Sequence, residues 1–511
     1  MPIDEHAARH PDKAAVIIAE TGEEVTYAEL VGRSKRLAQL FRAKGIGIGG
    51  HIAILLDNHP RYFEVVWAAL RAGIYFTPIN WHLGADEAAY IVRDCGAQAL
   101  VTSARFAELM GDMKDVVGPL PLRLAVDGAI DGFESYEEAL AEQASEPVAD
   151  ETEGAWMFYS SGTTGRPKGI LQALPGTPLG DTELGLVQLM RHVYGFSDDA
   201  RYLCPAPLYH AAPTGWSTST QRLGGTVVLM ERFDALEALR FIEQYRITQA
   251  QFVPTHFVRM LKLPADERDC FDLSSLRTAV HAAAPCPVEI KRQMIDWWGP
   301  KVYEYYAGSE GVGMCAIGPE EWLERPGSVG RAVTGIAHIV DEAGQELPAG
   351  EVGQIWFETE SRFAYHNDAD KTSEAWNDRG WGTIGDVGYL DEDGYLFLTD
   401  RISHMIISGG VNIYPQEVED ALIVHPDVAD AAVIGVPDPD MGEAVKAVVQ
   451  LAPGIEASPV QAEVLIAFCR ERIAHFKCPR SIDFADELPR LPTGKLLKRK
   501  LRDQYREAAD G

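Results

Sequence analysis

The chain has 511 residues, 46% hydrophobic and 24% charged, and carries 76 acidic side chains against 46 Lys and Arg for a formal charge of −30. Its length exceeds the ~300 residues at which single cores stop growing, so more than one structural unit is expected, and its composition excludes a disordered chain. The negative balance disfavours nucleic acid as a partner; with no apolar run near the ~18 residues of a membrane span and no signal-peptide core in MPIDEHAARHPDK, a cytoplasmic protein without integral membrane association is expected.

In chain order, residues 14–19, 51–56, 74–80 and 97–103 are short apolar runs bounded by turn residues, as buried strands should be. Leu30, Val31, Leu37, Ala38 and Phe41 recur at helical spacing between them, and YFEVVWAALRAG (62–73) is a helix closed by Gly. This alternation predicts α/β layers with largely parallel sheets. The acidic stretch 144–154 reads as an exposed connection.

After the strand WMFYS comes YSSGTTGRPKGI (159–170). Gly162 and Gly165 permit tight curvature, the hydroxyls of Ser160, Ser161, Thr163 and Thr164 with successive N–H groups can surround phosphate oxygens, and Lys168 adds a positive charge. The spacing differs from G-x-x-x-x-G-K-[ST], and a solvated turn is the competing reading. Further strands are expected at 226–230 and 247–254, with a helix at 235–245 between them.

In EYYAGSEG (304–311), Tyr306 is suited to cover a nucleobase and Glu310 is a hard oxygen ligand for Mg²⁺ on a phosphate, although alone the segment reads as a strand end and turn. Residues 326–400 are Gly-punctuated and β-rich, like a small sheet or barrel. There GDVGYLDEDGYLFLTDR (385–401) supplies Asp386 as an acceptor for ribose hydroxyls and Arg401 at a unit boundary, with DEDG as a hairpin turn. The last hundred residues read as a separate small unit, with Pro-started helices at PQEVEDALIVHP and PVQAEVLIAFCRERI and strands at DAAVIGV and AVKAVVQL. Division into 1–401 and 402–511 is expected. In LPRLPTGKLLKRKLR (488–502), a basic island whose bland reading is a solvated tail, Lys495 follows the turn Pro492, Thr493, Gly494. The seven cysteines are scattered and never spaced C-x-x-C, which reads as reduced thiols.

Across nearly its whole length the chain resembles the adenylate-forming superfamily of acyl-CoA synthetases, firefly luciferases and peptide-synthetase adenylation domains. YSSGTTGRPKG, PLYH, HAAAP, YYAGSEG, GDVGYLDEDG, DRISHMIISGGVNIYPQEVE and LPTGK occur in the superfamily's order. The resemblance implies a large N-terminal domain of α/β layers with a β-rich subdomain, and a small mobile C-terminal α+β domain. It implies a carboxylic acid, ATP, Mg²⁺ and coenzyme A as reactants, with pyrophosphate released as an acyl adenylate forms and the acyl group then passed to CoA.

Carried over by motif, Ser160 to Gly165 and Lys168 would bind the β- and γ-phosphates, and Glu310 would hold Mg²⁺. Ala284, Pro285 and Tyr306 would flank adenine, Ala307 would join the nucleotide site, Ser309 would sit near the α-phosphate, and Asp386 and Arg401 would hold the ribose. Lys495 would bridge the acyl carboxylate and the α-phosphate. After rotation of the small domain about Ser403, the segment Ser408, Gly409 and Gly410 would line a pantetheine channel. His210, Trp216, Ala283, Tyr305 and Gly308 are candidates for the acyl pocket, where small Ala307 and Gly308 suggest room for a long or bulky acid.

Two positions depart from the superfamily: Ser403 stands at a hinge that is often Asp or Lys, and Ile384 replaces Thr in T-G-D. PLYHAAP offers no carboxylate to pair an amino group, which disfavours an amino-acid substrate. Fatty, steroid side-chain and hydroxycinnamate acids remain open, as do a carrier protein instead of CoA and a homodimer. A non-catalytic scaffold is disfavoured by the joint presence of Lys168, Glu310, Asp386, Arg401 and Lys495.

Overall fold

Short apolar runs alternating with amphipathic helices lay down two large sheets. The protein is seen in a computed structural model that describes residues 3–160, 167–182, 184–401, 404–490 and 496–510, the side chains of 115 and 506–510 excepted. One sheet has eight strands, in the order Phe363–Tyr365, Lys168–Gln172, Ala155–Ser160, Tyr75–Pro78, His51–Leu55, Ala99–Ser103, Leu122–Val126 and Glu134–Ser135. It is parallel from Ala155–Ser160 onward and antiparallel across its first three strands. The other has thirteen strands. Its parallel part includes Ala14–Ile18, Thr226–Leu229, Arg201–Cys204, Gln249–Phe252, Thr278–His281 and Val302–Ala307.

Apart from Phe363–Tyr365, the strands of the β-rich stretch expected as a small sheet or barrel are the antiparallel continuation of this second sheet. Strand Ser328–Thr334 pairs with Met314–Ile317 on one side and with Leu396–Arg401 on the other. Strands Asp386–Leu390 and Leu396–Arg401 form the expected hairpin, and the Asp391 carboxylate closes its turn by accepting from the N–H groups of Asp393 and Tyr395.

One core joins the two sheets through helices Tyr27–Ala43, Pro60–Arg71 and Ala211–Arg222. Pro60–Arg71 is buried at all but one of its twelve positions, which its run of Tyr, Phe, Val, Trp, Ala and Leu permits. The helix Ala211–Arg222 is also buried but polar, so its side chains must find partners inside. Thr218 and Thr220 donate back to the carbonyls of Thr214 and Trp216, both at 2.8 Å, and Gln221 Oε1 accepts from Trp67 Nε1 at 2.6 Å. Arg222, 6% exposed, pairs with Glu153, 2% exposed. The stretch expected as an exposed connection is therefore exposed only in its first part; at Glu153 it turns inward to meet this arginine.

Residues 406–484 carry a third sheet of five strands with its own core, against which helices Pro415–Ile423 and Pro459–Arg470 pack. It meets the rest of the chain where Gln416 N donates to Asp400 Oδ2 at 3.2 Å and where Lys262 Nζ donates to the Val428 carbonyl.

Candidate active site

The strands Ala155–Ser160 and Lys168–Gln172 pair as a hairpin with Ser160 opposite Lys168. Ser161, Gly162, Thr163, Thr164 and Gly165 lie outside the described residues, as do Ser403 and Lys495. Lys168 stands at the base of this hairpin, its Nζ 2.7 Å from Asp368 Oδ2 and 5.9 Å from the centre of the Tyr365 ring. Strand pairing brings these partners in from two hundred residues away: Phe363–Tyr365 runs antiparallel to Lys168–Gln172, with Tyr365 opposite Ile170. Asp368 then caps helix Ala369–Glu374, its Oδ1 accepting from Lys371 N at 3.0 Å.

In the thirteen-stranded sheet, strand Val302–Ala307 ends at Gly308, exposed Ser309 and half-buried Glu310. The Tyr365 hydroxyl donates to Glu310 Oε1 at 3.0 Å. Burial first, and then the Glu310 charge, push the Tyr365 hydroxyl well above its usual range, so it stays neutral and a donor. The Tyr306 hydroxyl donates to Asp386 Oδ2 at 2.8 Å, and Arg401 Nε lies 2.9 Å from Asp386 Oδ1. Asp386 and Arg401 are opposite one another in their hairpin, so the register itself makes the pair. Burial opposes the charge on Arg401, but Asp386 and Glu310 outweigh it and lift the guanidinium above its ordinary range. Tyr306, Asp386 and Arg401 thus form one polar group and Lys168, Asp368, Tyr365 and Glu310 another, with the Glu310 charge acting on Arg401 as well.

Strand Thr278–His281 leads into Ala282 to Pro285, where Ala283 has φ +74°. A left-handed alanine costs ~1–2 kcal/mol, so the segment is held rather than relaxed. His281, two residues before Ala283, belongs to a buried cluster that sequence reasoning missed: Lys291 Nζ is 2.6 Å from Glu304 Oε2, and His281 Nε2 is 3.5 Å from the same oxygen. Burial keeps His281 neutral. Lys291 lies among Ile290, Met294, Ile295 and Trp298 on the buried side of helix Val288–Trp298, and a charge on that apolar stripe was the available signal. For Tyr365 and Asp368 no motif marked the positions.

The acyl-pocket candidates divide. Trp216, 1% exposed, donates from Nε1 to the Tyr305 hydroxyl at 3.3 Å, and their rings stack with centroids 5.7 Å apart. Gln251 also donates to the Tyr305 hydroxyl, at 2.8 Å, and Tyr194 and Phe196 crowd Trp216. His210 precedes helix Ala211–Arg222, its ring 4.4 Å from that of Tyr209. A β-carbon on Gly308 would lie 2.9 Å from Glu310 Oε2 and 3.0 Å from Ile384, so the glycine lets both side chains come close to the strand end. Ile384 thus fills space where the superfamily carries Thr, and the neighbouring Thr383 hydroxyl is committed to the Ile355 carbonyl at 2.7 Å.

Ser408 and Val411 pair across a two-residue turn in which Gly409 and Gly410 have φ +57° and +79°. Both central residues at positive φ is the pattern of a type I′ hairpin, so the turn alone requires the glycines. A β-carbon on Gly409 would come within 2.4 Å of Met441 Cε.

The sequence matches the AMP-binding enzyme family over residues 3–364 and the AMP-binding enzyme C-terminal domain over residues 417–495. It is 35% identical over 494 residues to a feruloyl-CoA synthase from an Amycolatopsis species, covering 96% of each chain. It is 32% identical over 509 residues to the fatty acid–[acyl-carrier-protein] ligase ScoC of Streptomyces coeruleorubidus, covering 98% of this chain and 95% of that one. Among solved structures, the o-succinylbenzoate CoA synthetase of Bacillus subtilis, in complex with its acyl-adenylate intermediate, superposes with a TM-score of 0.80 at 28% identity, covering 98% of each chain.

Proposed function

The chain belongs to the AMP-binding family of adenylate-forming enzymes, and from that premise we propose that it is an AMP-forming acid–thiol ligase. It activates a carboxylic acid with ATP, releases pyrophosphate, and transfers the acyl group from the adenylate to CoA. The observation that carries this reading is the pair of polar groups that strand pairing gathers, Lys168 beside Tyr365 and Glu310, and Tyr306 with Asp386 and Arg401.

A carboxylate attacking a phosphate brings two anions together, so fixed cations and N–H dipoles supply most of the catalysis. Lys168 and the segment 160–165 hold the departing β- and γ-phosphates. Asp386 accepts from the ribose hydroxyls, with Arg401 and Tyr306 fixing its carboxylate. Ala284, Pro285, Tyr306 and Ala307 surround the base, with Ser309 near the α-phosphate. Glu310 offers the carboxylate a nucleotide-bound Mg²⁺ needs, since that ion takes one or two carboxylates and draws its other ligands from phosphates and water. Bound there, Mg²⁺ would neutralise phosphate charge. Lys495 brings the acyl carboxylate and the α-phosphate together, and residues 402–511 then turn about Ser403 so that the hairpin at Ser408 to Gly410 faces the thiol.

The stacked Trp216 and Tyr305 favour a planar aryl acid over the long or bulky acid suggested by small Ala307 and Gly308. Similarity to a feruloyl-CoA synthase supports the same choice. A panel of hydroxycinnamic, benzoic and fatty acids assayed for pyrophosphate release, with and without CoA, tests both parts. Acid-dependent pyrophosphate without acyl-CoA would sink the CoA assignment and point to a carrier protein, whereas release with fatty acids alone would sink the aryl one.

A further inference from the structure

Between the two charged groups of the phosphate site, the segment Phe363 to Asp368 contributes one polar side chain to each. The Tyr365 hydroxyl goes to Glu310, and the Asp368 carboxylate goes to Lys168. The two contacts differ in kind. A neutral phenol leaves the charge of Glu310 in place, whereas a carboxylate at 2.7 Å occupies the cation meant for phosphate. Asp368 is firmly set for this: its Oδ1 is bound by Lys371 N at 3.0 Å and only Oδ2 faces Lys168.

On the reading of Lys168 as a phosphate ligand, we infer that Asp368 is a positioning residue that competes with the nucleotide for Lys168, loosening ATP and hastening the departure of pyrophosphate. With the site empty, Asp368 holds the long, otherwise mobile lysine at the hairpin base. When phosphate arrives, Lys168 changes partner, and the loss of its bond to Asp368 raises the cost of holding the polyphosphate. When the α–β bond has broken, Asp368 takes Lys168 back. Holding Lys168 and limiting phosphate affinity are therefore done by one side chain, outside the phosphate loop.

Asp368→Asn separates charge from structure, because the amide oxygen still caps the helix at Lys371 N while the anion is lost. Its KM for ATP is expected to fall about threefold, the scale of one partly exposed ion pair. Pyrophosphate should become a tighter product inhibitor by a similar factor, with the KM for the acid unchanged. In a Lys168→Met background, D368N should alter neither constant. Unchanged or weaker ATP and pyrophosphate binding in D368N, with its thermal midpoint intact, overturns the inference. So does an equal effect of D368N with and without Lys168, since the carboxylate would then act on phosphate directly. Should K168M by itself leave the KM for ATP unchanged, the assignment of Lys168 to phosphate is what fails.

Discussion

Replacing Asp386 by Asn tests the ribose assignment most sharply, because the surroundings let the shape survive while the charge goes. Asp386 is 7% exposed and already accepts from Tyr306 at Oδ2 while Arg401 flanks Oδ1. A carboxylate has about four lone-pair positions, so about two remain for the 2′- and 3′-hydroxyls. In D386N the amide oxygen can stay beside Arg401, and the Tyr306 hydroxyl can turn to accept from the new N–H₂. A hydrogen bond to a charged group is worth ~1.5–3 kcal/mol and a neutral one ~0.5–1.5 kcal/mol. Losing the charge therefore costs ~1 kcal/mol per hydroxyl, or ~2 kcal/mol in all, about a 30-fold rise in the KM for ATP and the Kd for AMP. Pyrophosphate exchange gives the first constant and calorimetry the second. The control is dATP, which lacks one hydroxyl: the wild-type preference for ATP over dATP should shrink in D386N by about fivefold, the charge-dependent part of one bond. An unchanged KM, or an ATP/dATP ratio equal to that of the wild type, refutes the assignment.

Ala283→Gly relieves a left-handed alanine, and after the entropy cost of glycine the gain should be ~0.5 kcal/mol; a urea midpoint lowered by the mutation would show that Ala283 is not strained. His256 is buried against Phe233, and burial holds its pKa at about 3 against 6.5 in the unfolded chain. Between those values the unfolded chain binds a proton that the folded chain refuses, so stability is complete above the unfolded value and drains away as pH falls. From pH 7 to 5 the loss from this group is about 2 kcal/mol, and His256→Gln should flatten that part of the denaturation profile; parallel profiles for the two proteins would contradict it. Lys495→Ala should largely abolish adenylation while sparing transfer from a supplied acyl adenylate, and equal loss in both half-reactions would refute the rotation of the small unit.

The expected elements recur where local pattern dictates them: strands at Ala14–Ile18, His51–Leu55 and Thr226–Leu229, and Pro-started helices at Pro415–Ile423 and Pro459–Arg470. The grouping of Tyr306, Glu310, Asp386 and Arg401 was legible because each sits in a short motif at a strand end. What escaped sequence reading depends on pairings of distant residues. Asp368 sits in an ordinary helix cap, and only the register of Phe363–Tyr365 against Lys168–Gln172 turns it towards Lys168. Likewise Glu153 looks like part of an acidic surface stretch until Arg222, on a helix buried between sheets, meets it.

The strand Leu396–Arg401 ends with two charged residues that a strand's alternation must send to opposite faces. Arg401 meets Asp386 on the side of the nucleotide site, while Asp400 accepts from Gln416, at the start of the first helix of the small unit. The same strand end thus carries the proposed ribose contact on one face and a tie to the small unit on the other. On the proposed ribose site, nucleotide and small unit would be tied to adjacent residues, with no relay of contacts needed between them.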